Sequence, residues 1–434
     1  MNQAHELVQN LLDFIDDSPS PWHAVASMEN QLRVQGFECL KETEAWSLKP
    51  GGRYYVIRDG SSIIAFVVGN RALAESGFSI IGAHTDSPGL RIKPRPVMTG
   101  EGLVRLGVEI YGGPILATFS DRDLSLAGRI SYKDETGNIQ SRLIRFDQPL
   151  LRLPNLAIHM NRKVNEDGLK FHKQLELPLI VSAIDAELPA EYFIQLLEQV
   201  SDVPAKNILN WELNVYDTQK GCFWGDEKQF YANSQLDNLA SCHAGLQALL
   251  NEESQHAGNT RVCAFFDHEE VGSESSKGAN SSFLQDTLKR MALAVGVAGQ
   301  DYLRTLAHSY MLSSDMAHAW QPNFSNAYDA EHKVFINKGP VIKINANQRY
   351  TSESVSAAMF IDWCQQAGVD WQQYSHRTDL PCGSTIGPML SARLGIRSID
   401  VGSPMWAMHS IRECAGVKDH WQMTQVIKCF FSRL

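Results

Sequence analysis

Two short, largely apolar runs constrain this chain more than any other feature: residues 78–83 (FSIIGA) and 262–266 (VCAFF). Runs of this length fall far short of the roughly 18 apolar residues a membrane span needs, and are the length of strands covered on both faces. The longest apolar stretches, residues 63–69 and 291–299, are likewise only long enough for core strands or helix segments. Residues 310–312 and 398–401 are weaker strand candidates, and helical spacing occupies 239–250, 282–294, 354–366 and 421–431. Strands alternating with helices predict an α/β fold built in layers.

The residues that follow these runs carry the chemistry, because ligands in open α/β sheets bind beyond the strand ends. After FSIIGA come His84 and Asp86, which point the same way in an extended segment. They share one site, or Asp86 orients His84 from behind, or they are a capping aspartate beside a half-exposed histidine. After VCAFF come Asp267, His268, Glu269 and Glu270. Two adjacent glutamates leaving a buried strand are costly unless cations meet them: one can bind metal while the other activates water. The alternative is a solvated acidic loop. The pattern is not HExxH, since the fourth residue after His268 is Gly272. Asp237 precedes a helical run and is either its N-cap or a carboxylate bridging two metals. Asp315 and His318 (SDMAH) and His409 (AMHSIRE) each stand alone as weak signals. Together, two histidines and three carboxylates, with Glu269 to spare, form a mixed N/O set without thiolate, which suits two zinc or similar ions.

The chain has 434 residues, more than one core of about 250–300 residues accommodates. Residues 95–227 read differently from the rest, with Gly113-Pro114, a hairpin turn at 134–138 (DETGN) and proline-punctuated short runs. This predicts a β-rich unit of residues 95–227 inserted into an α/β domain formed by 1–94 and 228–434. Composition, 44% hydrophobic and 20% charged, is that of a soluble folded enzyme. Thirty-nine Lys+Arg against 49 Asp+Glu leave a net charge of −10, which argues against nucleic acid and anionic membranes as partners. The N-terminal segment reads as an amphipathic helix rather than a signal peptide, and the eight cysteines form no CxxC pair. Reduced thiols and a cytoplasmic location are the expectation.

At this point the motifs resemble a known family, the aspartyl aminopeptidases, dinuclear zinc metallopeptidases, in their bacterial branch. The matching segments appear in family order over nearly the whole chain: SPSPWHAV, GAHTDSPGLRIKP, LPNLAIHMNR, SQLDNLAS, FDHEEVGSESSKGA, SSDMAHA, GPVIKINANQRYT, CGSTIGPMLSARLG and AMHSIRE. The resemblance implies a three-layer α/β zinc-peptidase domain with an inserted β-rich dimerisation domain. It implies that His84, Asp237 and Asp315 hold one Zn2+ and Asp237, Glu270 and His409 a second, with Asp237 bridging. Glu269 would be the general base, and Asp86 would support His84. His318, Lys343 and Tyr350 match positions near the substrate. His159 matches a substrate contact, reaching in from a neighbouring subunit; a role as zinc ligand is the less favoured alternative, because the five-ligand set is already complete. A homo-oligomer, a dodecamer built from dimers, is implied too.

Lys343 has a physical argument of its own. It sits inside the apolar run 341–344 (VIKI), and a buried cation needs an anion. The acidic side chain of a substrate's first residue would supply one. The activity the resemblance implies, with this preference, is removal of an N-terminal Asp or Glu from peptides. The rivals are a zinc-dependent deacylase of N-acylated amino acids and a non-catalytic assembly protein with a relict metal site.

Overall fold

In the computed structural model, which describes residues 3–184, 188–189, 191–251 and 258–432, the two apolar runs become neighbouring strands. Phe78–His84 and Thr260–Phe266 are buried along their whole length and pair in parallel, with Phe266 opposite His84. The strand Tyr310–Ser314 lies parallel on the other side of Phe78–His84, with Ser313 opposite Gly82. Three adjacent strands thus end at one edge of the sheet, and the histidine and acidic residues that follow them in sequence emerge side by side.

These strands are the centre of a nine-stranded mixed sheet. Its order is Glu38–Cys39, Arg53–Arg58, Ser62–Val67, Thr260–Phe266, Phe78–His84, Tyr310–Ser314, Arg397–Gly402, Val341–Ile344 and Gln372–Ser375. Side-chain alternation divides the core between its two faces. Ile81, Ala83, Cys263 and Phe265 pack into one cluster with residues of helices Gln3–Asp16, Leu236–Leu250, Ser354–Gln366 and Val417–Phe431. Phe78, Ile80, Val262, Ala264 and Phe266 pack into another with helices Phe283–Ala294 and Ile386–Leu394. Each buried Val, Leu, Ile or Phe side chain in these layers contributes about 1.5–3 kcal/mol. The three-layer α/β architecture expected from the sequence is the one that forms. The last helix starts at Val417, earlier than helical spacing suggested, because Asp419 and His420 are buried despite being polar.

A second, six-stranded antiparallel sheet has the order Ile139–Arg145, Leu124–Lys133, Ile208–Asp217, Gly89–Gly100, Leu103–Tyr111 and Leu179–Ala183. Leu106, Leu126, Ile130 and Leu213 belong to its own hydrophobic cluster. DETGN is the turn of a hairpin, with Lys133 opposite Ile139. There Asp134 Oδ1 accepts from the Thr136 and Asn138 N–H groups, and Gly137 supplies the left-handed residue at φ +87°. A third sheet joins the segments that flank the candidate site. It comprises Cys222–Trp224, Phe230–Asn233, Glu413–Gly416, Pro404–Trp406 and Ala317–His318. Among the described residues, no helix is long and apolar enough to cross a membrane.

Candidate metal centre

The strand ends and the third sheet deliver the candidate residues to one place. His84 is the last residue of its strand, Asp315 follows Tyr310–Ser314 directly, and Glu269 and Glu270 form a short turn after Thr260–Phe266. Asp237 lies in the irregular first turn of Leu236–Leu250, and His409 lies between Pro404–Trp406 and Glu413–Gly416. Gln235, at the N-cap position of this helix, makes no side-chain cap, and Asp237 Oδ1 accepts no hydrogen bond, so that oxygen is not spent as an N-cap.

Asp237 faces two ways. Its Oδ1 is 3.4 Å from His84 Nε2 and its Oδ2 is 3.3 Å from His409 Nε2. Asp315 Oδ1 lies 4.0 Å from the same His84 nitrogen, and Glu270 Oε1 3.3 Å from the same His409 nitrogen. Donor atoms of His84, Asp237 and Asp315 lie within 4.8 Å of one another, and so do those of Asp237, Glu270 and His409. Asp237 Oδ1 is buried and accepts no hydrogen bond, an uncompensated cost that a cation would remove. An orphaned carboxylate oxygen among histidine nitrogens and further carboxylates, without thiolate, is a donor set that fits zinc.

The electrostatics favour cations too. Burial pushes the Glu269 carboxyl well above the usual range, with Asp315 and Glu270 adding to the effect. Burial likewise raises Glu270 to about 7 and Asp315 to about 6. Burial would also raise Asp237, but His409 and His84 hold it below the ordinary carboxylate range. Burial alone would lower both histidines; Asp237 and Asp86 instead raise His84 well above its normal value, and Asp237 and Glu270 raise His409 to about 11. Carboxylates this crowded keep protons that a dication would displace.

The candidate ligand side chains are held from behind. Asp86, wholly buried, accepts from Tyr111 Oη at 2.7 Å and from the Glu269 and Glu270 N–H groups at 3.1 Å each, with Oδ1 3.4 Å from His84 Nδ1. His84 Nδ1 also meets the Asp86 carbonyl at 3.0 Å, and His409 Nδ1 meets the Gly113 carbonyl at 3.1 Å, which turns both Nε2 atoms toward Asp237. Glu413, 2% exposed, accepts from the Asp237 N–H at 3.0 Å with one oxygen and from the His409 N–H at 2.7 Å with the other. Sequence reasoning missed Glu413 and Tyr111. A glutamate entering a short strand and a tyrosine ending one give no signal until the fold shows what they touch. Gln235, His268, Ala407 and His409, all non-glycine, sit at φ between +57° and +69° in the loops that present the ligands. Such backbone costs about 1–3 kcal/mol per residue and persists where the surroundings over-determine it.

His318, Lys343 and Tyr350 line the same cavity as His84, Asp237, Glu269 and His409. Lys343 is buried, with Nζ 3.8 Å from Asp315 Oδ2 and 5.5 Å from the centre of the Tyr350 ring. It therefore has an anion within the chain itself. Burial, with Lys343 close by, lowers His318 to about 4. His159 is placed differently: it lies on an exposed turn and is not among the residues lining this cavity.

A three-layer α/β scaffold that gathers histidines and carboxylates at its strand ends defines a metal-dependent hydrolase. Residues 14–431 match the family model described as aminopeptidase I zinc metalloprotease (M18), and the chain belongs to this M18 family of zinc aminopeptidases. A probable M18 family aminopeptidase 2 from Ectopseudomonas mendocina is 44% identical over 430 residues, 98% of each chain. One from Pseudomonas aeruginosa is equally similar. Among solved structures, one described as the Ape4 and Nbr1 complex matches with a TM-score of 0.95 at 37% identity, covering 99% of this chain and 86% of the other. One described as the mApe1 dodecamer of S. cerevisiae matches with a TM-score of 0.86 at 27% identity, covering 99% and 97%.

Proposed function

We propose that this zinc aminopeptidase uses two zinc ions per subunit to remove N-terminal Asp or Glu from peptides. His84, Asp237 and Asp315 would hold one ion, and Asp237, Glu270 and His409 the other. The observation that carries this reading is Asp237, whose two oxygens each face a different histidine at 3.3–3.4 Å. When bound, zinc supplies Lewis acidity toward the scissile carbonyl and makes water a nucleophile near neutral pH. Glu269, which lines the same cavity as the candidate ligands, takes the proton from the attacking water and passes it to the leaving amine. Asp86 keeps His84 in the tautomer that points Nε2 at the centre. His318, kept neutral by burial, contacts the substrate without adding charge. Tyr350 closes the same wall of the cavity.

Lys343 is the candidate selector for acidic first residues. A hydrogen bond to a charged group is worth about 1.5–3 kcal/mol. Lys343→Met is therefore expected to lower the Asp-over-Leu ratio in kcat/KM by about 10–100-fold, and an unchanged ratio would exclude Lys343 as the selector. The defining experiment is a panel of N-terminal residues assayed with chelator and with zinc add-back. Comparing Asp-anilide with its N-acetyl form separates an aminopeptidase, which needs the free amine, from a deacylase.

We further propose that residues 95–227 form an oligomerisation unit and that 1–94 and 228–434 form the catalytic domain. Around His159, Leu156, Ile158 and Met160 are 62%, 48% and 74% exposed, an apolar cluster of the kind that marks interfaces. The dodecameric yeast relative supports a closed homo-oligomer, in which His159 of one subunit would reach the substrate of the next. Light scattering on the purified protein tests the assembly. The eight free cysteines are in keeping with a cytoplasmic location.

A further inference from the structure

We propose that residues 111–118, the segment leaving the six-stranded sheet, form a clasp that holds the two halves of the metal centre in register, with Tyr111 as its principal positioning residue. The inference rests on the two-ion reading above.

On one side the clasp grips the turn that carries the glutamates. Tyr111, only 8% exposed, donates its hydroxyl to Asp86 Oδ2, the same oxygen that accepts the Glu270 N–H. The Arg91 guanidinium lies 3.7 Å from the centre of the Tyr111 ring, a stack that holds the ring in place. At Gly112, φ is +65°, and a Cβ would come within 3.1 Å of both the Cβ and the carbonyl oxygen of Glu270. A side chain there would press on Glu270 and strain the left-handed backbone.

On the other side the same segment grips the histidine loop. The Gly113 carbonyl meets His409 Nδ1 at 3.1 Å, the Ile115 N–H donates to the His409 carbonyl at 2.9 Å, and Thr118 Oγ1 accepts from the Ile411 N–H at 3.0 Å. A segment that contributes no metal ligand thus touches Asp86, Glu270 and His409, the groups that set the spacing of the centre. A shift of the six-stranded sheet would be transmitted through these contacts to both ion sites.

The test compares Tyr111→Phe with Tyr216→Phe. Tyr216 also belongs to this sheet, and its hydroxyl donates to the Phe146 carbonyl at 2.6 Å, so its variant loses a buried hydroxyl without touching the clasp. Zinc affinity is measured by chelator competition, alongside kcat and KM. Tyr111→Phe is expected to lose about 10–100-fold in zinc affinity or in kcat, the usual cost of removing a group that orients metal ligands, with KM little changed. Tyr216→Phe should match wild type. Thr118→Val, at the other end of the clasp, should weaken one of the two ions only. If Tyr111→Phe matches Tyr216→Phe in both zinc affinity and kcat, the clasp is overturned. If Tyr111→Phe does not fold, unchanged zinc binding in Thr118→Val overturns it instead. Wild-type protein that binds a single zinc would overturn the two-ion reading beneath it, an outcome visible before any variant is made.

Discussion

The two halves of the proposed metal centre reach similar geometry by different means. The His84 half stands on the sheet: His84 ends one strand, Asp315 follows the next, and the His84 side chain is 2% exposed. The ladder between Phe78–His84 and Tyr310–Ser314 sets the spacing of these strand ends, and the adjacent Asp86 orients the His84 ring. The His409 half stands on a loop. His409 has a left-handed backbone at φ +69°, its side chain is 29% exposed, and three separate contacts restrain it: Glu413, the Gly113 carbonyl and the Ile115 N–H. A strand end inherits its precision from the sheet, whereas a loop has to be clamped, and the clamps come from distant parts of the chain.

The largest expected effect spares both halves and so isolates the chemistry they serve. Glu269→Gln should lower kcat by about 10²–10⁴-fold, the usual worth of a general base, while zinc content by atomic absorption stays at the wild-type level. Near-normal kcat would remove Glu269 from that role. Next in size is the loop-borne half. Glu413→Ala leaves the buried N–H groups of Asp237 and His409 without their acceptor, at a cost of about 1–3 kcal/mol in stability by denaturant titration for each group left unpaired. It should also weaken the ion held by His409 by about 10–100-fold and the one held by His84 much less. Equal weakening of both would show that the halves are not independently supported. The smallest effect needs no mutation. Dialysis of the wild-type enzyme against a mild chelator should release zinc in two phases, the ion beside the more exposed His409 leaving first. A single phase would erase the distinction between sheet-borne and loop-borne halves.

Much of this was legible in the sequence. The apolar runs at 78–83 and 262–266 marked the central strands because only a doubly covered strand or a buried helix tolerates such composition, and their shortness excluded the helix. His84, Glu269, Glu270 and Asp315 were legible as a group because each follows an apolar run, where a charged residue at a strand end has chemical meaning. His409 and Asp237 were weaker signals that gained weight from the ligand count and from the ordered family motifs. Glu413, Tyr111 and Gly113 were not legible, since each acts through a hydrogen bond to a residue far away in the chain. His159 was legible as a motif residue, yet within one chain it stands on an exposed turn outside the cavity.

The sequence alone therefore determined the central strands and the candidate ligands that follow them, because burial and periodicity are local properties that each segment expresses by itself. The tertiary structure decided that Asp237 faces two histidines at once, that Lys343 already meets Asp315, and that one buried glutamate and one segment of the second sheet hold the centre together. Those facts depend on distances between segments remote in the chain, and such distances are set only when strands pair and loops are clamped.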